Sequence, residues 1–494
     1  MGVIQKQSIS GTIYSYAGVV LGFLTTGILF PRIFSTDEVG LLRLLVSYST
    51  LLAQFAVLGV NTVTVKLFPL FRDEEKKHHG YLGLTLLVAT VGFIVTIAVY
   101  LGLHDYIISG SKEKSALFIP YFYYVVPLVF FTLLFGIFDT YYRVLYRAVI
   151  GIVYKEVVQR SLILVSILLY FFKVVDFNTL VIIYSFALIS PALFLFFHLL
   201  KDKLLYLKPD FGYIDKKLAK EMLSVAFFGI IAGYSGVLVM NIDIIMVNNY
   251  LGLKAAGIYT ITFFFGTLIL VPMRTMGKIS SVVIADAWKT NDKKTIFDIY
   301  RKSTLSLGII GLLLFVGILG NLDNVFQIIG KDYEAGRMVI IFIGLANLTD
   351  IFLGISPHII VNSNKYRWLS YLLIGFTVII VISNLIFIPL FGLVGAALAS
   401  FISKFVYNFS KYLFLYKTWG FQPFTFKHLI LIFAALIAYF SVYFIPPMFH
   451  FIADIIVRST IITIVFTFLV YWWKISDEVN DKIKKLVKTL TVNR

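Results

Sequence analysis

Runs of about 20 apolar residues, repeated from one end of the chain to the other, constrain this sequence more than any other feature. A run of that length crosses the hydrocarbon of a bilayer as a single helix. Fourteen are read near 10–30, 40–64, 81–103, 116–138, 157–175, 178–199, 222–247, 256–283, 303–320, 337–357, 367–388, 391–415, 427–447 and 452–473. They exclude a soluble globular domain. A composition that is 59% hydrophobic and 14% charged agrees. The expected fold is an all-α polytopic membrane protein of about 14 transmembrane helices, numbered 1 to 14 in chain order.

A net charge of +17 suggests nucleic acid in a soluble protein, but here its placement carries the information. With the N-terminus inside, the inner connections collect Lys66, Arg72, Lys76 and Lys77, then Arg143, Arg147, Lys155 and Arg160, then Lys201 through Lys220. Later inner stretches hold Arg274 through Lys302, Lys365 and Arg367, Lys404 through Lys427, and the tail from Lys474. About four-fifths of the 43 Lys and Arg fall on that side, as positively charged loops do in the cytoplasm, and a miscounted helix would invert the pattern downstream. Both termini are expected to be cytoplasmic, and no nucleic acid partner is expected. Only Lys6 precedes the first run and no A-x-A-like site follows it, so that run is expected to stay in the membrane.

Zero cysteines exclude disulfides, thiolate catalysis and Cys-ligated metals. The seven histidines lack ligand spacing, and the pair His78 and His79 reads as solvated surface of a basic loop. Outer connections are short, the longest near 321–336, which leaves no room for an external catalytic domain of the kind a glycan polymerase or ligase carries. No enzymatic activity and no cofactor are expected.

Ionised groups inside apolar runs are costly, roughly 2.5–3.5 kcal/mol each on insertion scales, so they face water or a partner. Asp243 lies in run 7, two residues after Asn241; Asp350 lies in run 10 with Asn347 on the same face; Asn384 lies toward the outer end of run 11. Lys404, near mid-depth in run 12, either lines a wet cavity or pairs with an acid, and Asp350 is the neighbour it would pair with. Arg32 and Arg43 bracket the first outer turn, Arg274 and Lys278 share a face of run 8, and Arg43, Lys66 and Lys411 read as anchors nearer helix ends. Asp139 sits four residues before Arg143 and is expected to pair with it. Gly11, Ser15, Gly18 and Gly22 form a small-residue stripe on run 1 that permits close packing. The linker from Lys201 to Met222, and a tail face formed by Ile475, Val479, Ile483, Leu486, Val487 and Leu490, mix bases with apolar residues and read as interfacial segments attracted to anionic lipid.

Three stretches carry a family resemblance. MNIDIIMVNNYLGLKAAGIY, from Met240 to Tyr259, resembles the opening of the second half of transporters in the multidrug/oligosaccharidyl-lipid/polysaccharide flippase superfamily. An echo lies in the first half, where Phe34, Val39, Gly40, Leu41 and Leu42 match the offsets of Leu251, Ala256, Gly257, Ile258 and Tyr259. IPLFGLVGAALASFISK, from Ile388 to Lys404, is similar to the start of helix 12 in polysaccharide exporters, and 141–166, with its counterpart 358–375, resembles the basic connection after helix 4.

The resemblance implies two pseudo-repeated six-helix lobes around a central cavity: 1–220 with helices 1–6, 221–420 with helices 7–12, then 421–494 with two added helices and a basic tail. Within this superfamily it points to the O-antigen flippase branch, which moves undecaprenyl-pyrophosphate-linked oligosaccharide across the bacterial inner membrane. Such a headgroup would meet Arg32, Arg43, Arg274, Lys278 and Lys404 through charge-assisted hydrogen bonds. A coupling Na⁺ or H⁺ would involve Asp243, Asn347, Asp350 and Asn384. Partners implied are the lipid-linked substrate, membrane lipid and other polysaccharide-assembly proteins. A lipid II flippase and a cation-coupled multidrug antiporter are the competing readings. The antiporter is disfavoured because helix 1 lacks the carboxylate that many drug antiporters place there.

Overall fold

The computed structural model describes residues 3–111, 114–476 and 480–481; within these, the side chains of 3–9, 109–111, 232, 240, 274–275, 278–279 and 282 lie outside the description. No strand occurs among the described residues. The passes are α1 (3–33), α2 (36–71), α3 (Tyr81–Gly102), α4 (Ala116–Val144), α5 (149–171), α6 (Phe177–Lys201) and α7 (Lys216–Leu251). They continue as α8 (253–289), α9 (Lys293–Gly320), α10 (Lys331–Leu353), α11 (367–391), α12 (393–419), α13 (Phe426–Tyr443) and α14 (Phe451–Trp472).

Twelve helices among the described residues are long and apolar enough to cross a membrane. One of them, Arg367–Trp419, is a hairpin: Gly392 has φ 58° and ψ −133°, Phe376 stacks on Tyr407 at 4.7 Å, and Trp368 meets Phe414 at 5.4 Å. A positive φ suits glycine, and Pro389 just before it cannot donate to the helix ladder, so α11 ends there and α12 begins. The remaining pass, α5, is assembled from Val149–Ile152, a π-helical turn Val153–Val158 and Gln159–Phe171.

Loop residues set the helix starts. Ser35 and Glu38 form a reciprocal capping box at α2, and the carboxylates of Asp176, Asp215 and Asp292 accept from backbone N–H groups in the first turns of α6, α7 and α9. Each satisfies a donor that would otherwise be unpaired at a helix end. α2 breaks at Leu58 and Gly59, both at positive φ, and a Cβ on Gly59 would overlap the Ala226 carbonyl of α7. The glycine therefore lets α7 lie directly against the break.

Packing divides the chain into two compact units, 1–261 and 262–494. In the first unit α7 packs on α2, with Val63, Leu67 and Val225 in the seam. In the second, α13 and α14 pack on one another and on α9, through Leu307, Phe315, Leu431, Ala435, Ile462 and Phe466. Arg458 of α14 ties the pair together by donating to the Val442 and Ile445 carbonyls while bonding Asp454 at 2.7 Å.

The basic loop after α2 corrects one expectation. His78 and His79 are buried, at 2% and 9% exposure, not solvated. Lys77, His78, His79 and Gly80 all have φ between 51° and 63°. This left-handed turn presents its backbone to the linker after α6: Asp210 N–H donates to the His79 carbonyl at 3.0 Å, and Gly83 N–H to the Tyr206 carbonyl at 3.1 Å. His79 stacks on Tyr213 at 3.7 Å and meets Asp210 at 3.1 Å, which holds that carboxyl below its ordinary range. The linker is thus clasped to the ends of α2 and α3, while Leu207 and Phe211 remain exposed. The amphipathic tail face beyond Ile475 lies outside the described residues.

Candidate functional site

The charged centre of the second unit is built from two helices. Asn347 and Asp350 are three residues apart on α10, and Lys404, Asn408 and Lys411 follow one another at helical spacing on α12. Lys404 Nζ donates to Asp350 Oδ2 at 2.8 Å and to Asn347 Oδ1 at 2.6 Å. Asn347 is 1% exposed, and its Nδ2 donates to the Gly266 carbonyl at 2.9 Å, so its oxygen has to face the lysine. Asn408 Nδ2 donates to Asp350 Oδ1 at 2.8 Å and to Thr349 Oγ1 at 2.7 Å. Both carboxylate oxygens of Asp350 are therefore occupied by donors. The structure joins Lys404 to Asp350 as the pair that their positions allow.

Lys411 differs from its expected role as an end anchor. It is 3% exposed, with Nζ 4.3 Å from the centre of the Tyr407 ring, and among the described residues it makes no hydrogen bond or ion pair. An ammonium over an aromatic face gains about 0.5–2 kcal/mol, which compensates only part of its desolvation.

In the first unit, Asp243 on α7 is 4% exposed and accepts from Tyr259 OH of α8 at 2.9 Å. Asn241, one helical turn's fraction away, accepts weakly from Arg43 Nη2 of α2 at 3.4 Å and donates to the Val237 carbonyl. Arg43 thus faces α7, not lipid. Arg32 is exposed at the end of α1, and Asn384 is fully buried on α11. Arg274 and Lys278 lie on α8, but their side chains are outside the description.

Near those groups, the two stretches that echo each other in sequence come together. A Cβ on Gly40 would overlap the Leu253 carbonyl and lie 3.1 Å from Gly257 N; a Cβ on Gly257 would overlap the Thr36 carbonyl and lie 3.1 Å from Gly40 N. The glycines at matching offsets in the two stretches are in mutual backbone contact.

Glu156, the acid beside Lys155 and Arg160, is a charged residue the sequence reading did not single out. Glu156 and Arg160 form an ion pair at 2.9 Å on α5, packed against Gly18 and Gly22 of α1. Lys155 beside them lies 4.8 Å from the Phe135 ring. The sidedness of their charge suggests an inner connection, whereas the i,i+4 spacing of Glu156 and Arg160 is the helix signal the sequence carries. Asp139 and Arg143 pair at 3.1 Å as expected, and a Cβ on Gly151 would overlap the Asp139 carboxylate. No group of three or more His, Cys, Asp or Glu that could hold a metal occurs among the described residues.

A family model described as "Polysaccharide biosynthesis protein" matches residues 5–282. No curated protein sequence matches the chain. Among solved structures, the chain is similar to a lipid II flippase MurJ in an inward closed conformation, at 17% identity and TM-score 0.72, covering 95% of this chain and 100% of that one. It is also similar to an inward-facing multidrug resistance MATE family transporter of the MOP superfamily, at 15% identity and TM-score 0.59, covering 84% and 97%. A third is a MOP superfamily transporter from Pyrococcus furiosus, at 16% identity and TM-score 0.52, covering 83% and 94%. At these identities the likeness concerns the fold, and the fold is that of membrane transporters.

Proposed function

Because the chain belongs to the polysaccharide biosynthesis protein family of the MOP superfamily, we propose that it moves undecaprenyl-pyrophosphate-linked oligosaccharide across the bacterial inner membrane by alternating access, with both termini cytoplasmic. A pyrophosphate-bearing glycan cannot cross hydrocarbon unaided, so its carrier needs polar and basic groups held within its spans. The observation that carries the reading is the α10–α12 centre, where Asp350, Asn347, Asn408, Lys404 and Lys411 gather between two membrane-spanning helices of the second unit. Arg43, Asn241 and Asp243 form a second polar group. Groupings of this kind are costly in lipid, and ionisable groups within spans mark substrate or ion pathways. No covalent chemistry is needed, and the substrate and bilayer lipid are the partners; polysaccharide-assembly proteins would act before and after it.

The test is complementation of a deletion strain, with surface glycan resolved on gels and membrane insertion checked by immunoblot. Wild type restores the glycan; Lys404→Ala inserts but does not. A normal glycan in the deletion strain contradicts the proposal. The likeness in fold to a lipid II flippase favours one second reading, namely lipid II as substrate. In that case depletion would arrest cell-wall synthesis and leave surface glycan repeat units unaffected.

A further inference from the structure

The superfamily resemblance implies a coupling cation bound by carboxylates and amides of the second half, and Asn347 and Asp350 are the residue types such a cation would need. Their oxygens point at one another's neighbourhood, but the space between them holds the Lys404 ammonium, at 2.6 Å from Asn347 Oδ1 and 2.8 Å from Asp350 Oδ2. Those are the two acceptors that would face a cation. Neither can turn away to form a separate site. Asn347 is fixed by the Gly266 carbonyl, which accepts from its Nδ2, and the other Asp350 oxygen accepts from Asn408 Nδ2.

Charge balance leads the same way. Asp350 brings one negative charge, Lys404 cancels it, and Lys411 adds a buried ammonium within electrostatic reach of both. A metal cation added here would raise an existing excess of positive charge in a medium that screens it poorly. The residues present therefore do not fit a resident Na⁺.

We propose that the Lys404 ammonium is a tethered counter-ion standing where a coupling Na⁺ would otherwise sit, and that it makes the second unit independent of Na⁺. Removing the ammonium while keeping Asn347 and Asp350 leaves a carboxylate and an amide oxygen converging on a space the size of a small cation. Lys404→Ala should thus create a Na⁺ site that the native chain lacks. The inference does not depend on which lipid-linked substrate is carried.

The experiment uses full-length protein in lipid nanodiscs at constant ionic strength, with Na⁺ exchanged against choline. Equilibrium binding of ²²Na⁺ is measured for wild type, Lys404→Ala and the double variant Lys404→Ala/Asp350→Asn. Wild type should retain Na⁺ only at the level of protein-free nanodiscs, Lys404→Ala should retain at least tenfold more than that background, and the double variant should return to the wild-type level. Saturable binding to wild type that Asp350→Asn abolishes overturns the proposal. So does a folded Lys404→Ala that binds no more than wild type. Should Lys404→Ala fail to insert, thermal unfolding of the wild type decides: a midpoint that is the same in Na⁺ and choline supports the proposal, and a Na⁺-specific rise lost in Asp350→Asn overturns it. Failure of the glycan assay above would leave these outcomes unaffected, so the two readings fail separately.

Discussion

Gly40 and Gly257 meet backbone to backbone: a Cβ built on either lies 3.1 Å from the other's amide nitrogen and overlaps a carbonyl of the opposing helix. The two residues sit at matching offsets in the two short stretches that resemble each other in sequence, 34–42 and 251–259. Close backbone approach of this kind is how small residues hold membrane helices together where the hydrophobic effect cannot.

Alanine at either position should therefore disrupt the contact, at a cost of about 1–3 kcal/mol for overpacking against backbone that cannot swing aside. Because this contact joins α2 to the start of α8, we predict that Gly40→Ala and Gly257→Ala shift the conformational equilibrium as well as lower stability. Cysteines introduced at Asp37 and Lys254 should crosslink readily in an otherwise wild-type chain and less in either variant. Equal crosslinking in all three would contradict a role for the glycine contact.

Asp350 and Lys404 should be intolerant one at a time and more tolerant together. Removing one partner of a shielded ion pair strands the other charge, a loss of about 3 kcal/mol, reduced here by the partial exposure of both side chains at 19% and 22%. Asp350→Asn and Lys404→Met should each lower the unfolding midpoint in detergent, and the double variant should recover part of the loss. A strictly additive double variant would show that the pair carries no coupling.

The glycine stripe of α1 gives a graded prediction. A Cβ on Gly18 would lie 2.8 Å from Glu156 Cβ and 3.1 Å from its carbonyl, atoms that cannot move without shifting α5. A Cβ on Gly22 meets the tip of the Arg160 guanidinium, which can swing. Gly18→Ala should destabilise the protein more than Gly22→Ala, by about 1 kcal/mol, as read from denaturation of the purified protein. The reverse order would contradict the placement of α5 against α1.

The linker clasp is testable through its backbone. Gly80 has φ 63°, and a Cβ there would overlap the Lys208 carbonyl and lie 2.8 Å from Pro209 Cα. Gly80→Val should release the linker, seen as faster amide exchange at Tyr206 through Asp210 with exchange in α9 unchanged. Unaltered exchange across the linker would mean the left-handed turn does not hold it.

Much of this architecture was legible from apolar run length, because a bilayer imposes it on any chain that crosses it. The turn between α11 and α12 was readable from Pro389 and Gly392. Helix ends were less so: α7 begins at Lys216 and α9 at Lys293, well before their apolar stretches, because helices continue past the hydrocarbon wherever Asp215 or Asp292 can cap them. The run read at 157–175 is α5, but its start at Val149 was not legible, so Lys155 and Glu156 in the π-turn fell outside it. His79 looked like surface because its partners, Asp210 and Tyr213, are over 130 residues away, and His78 because it is enclosed by the Phe68, Tyr141 and Tyr206 rings of separate elements. For the same reason the sequence could name Asp350 and Lys404 as neighbours but not show that Asn347 shares the lysine, or that Lys411 is buried over the Tyr407 ring.

The central claim, that this chain carries a pyrophosphate-linked glycan from one membrane face to the other, is tested most directly in proteoliposomes. Fluorescent undecaprenyl-pyrophosphate oligosaccharide placed in one leaflet is followed by an impermeant quencher added outside. The account predicts translocation with wild-type protein and its loss with Lys404→Ala reconstituted at the same density. Wild-type vesicles that flip the lipid no faster than protein-free vesicles would contradict it.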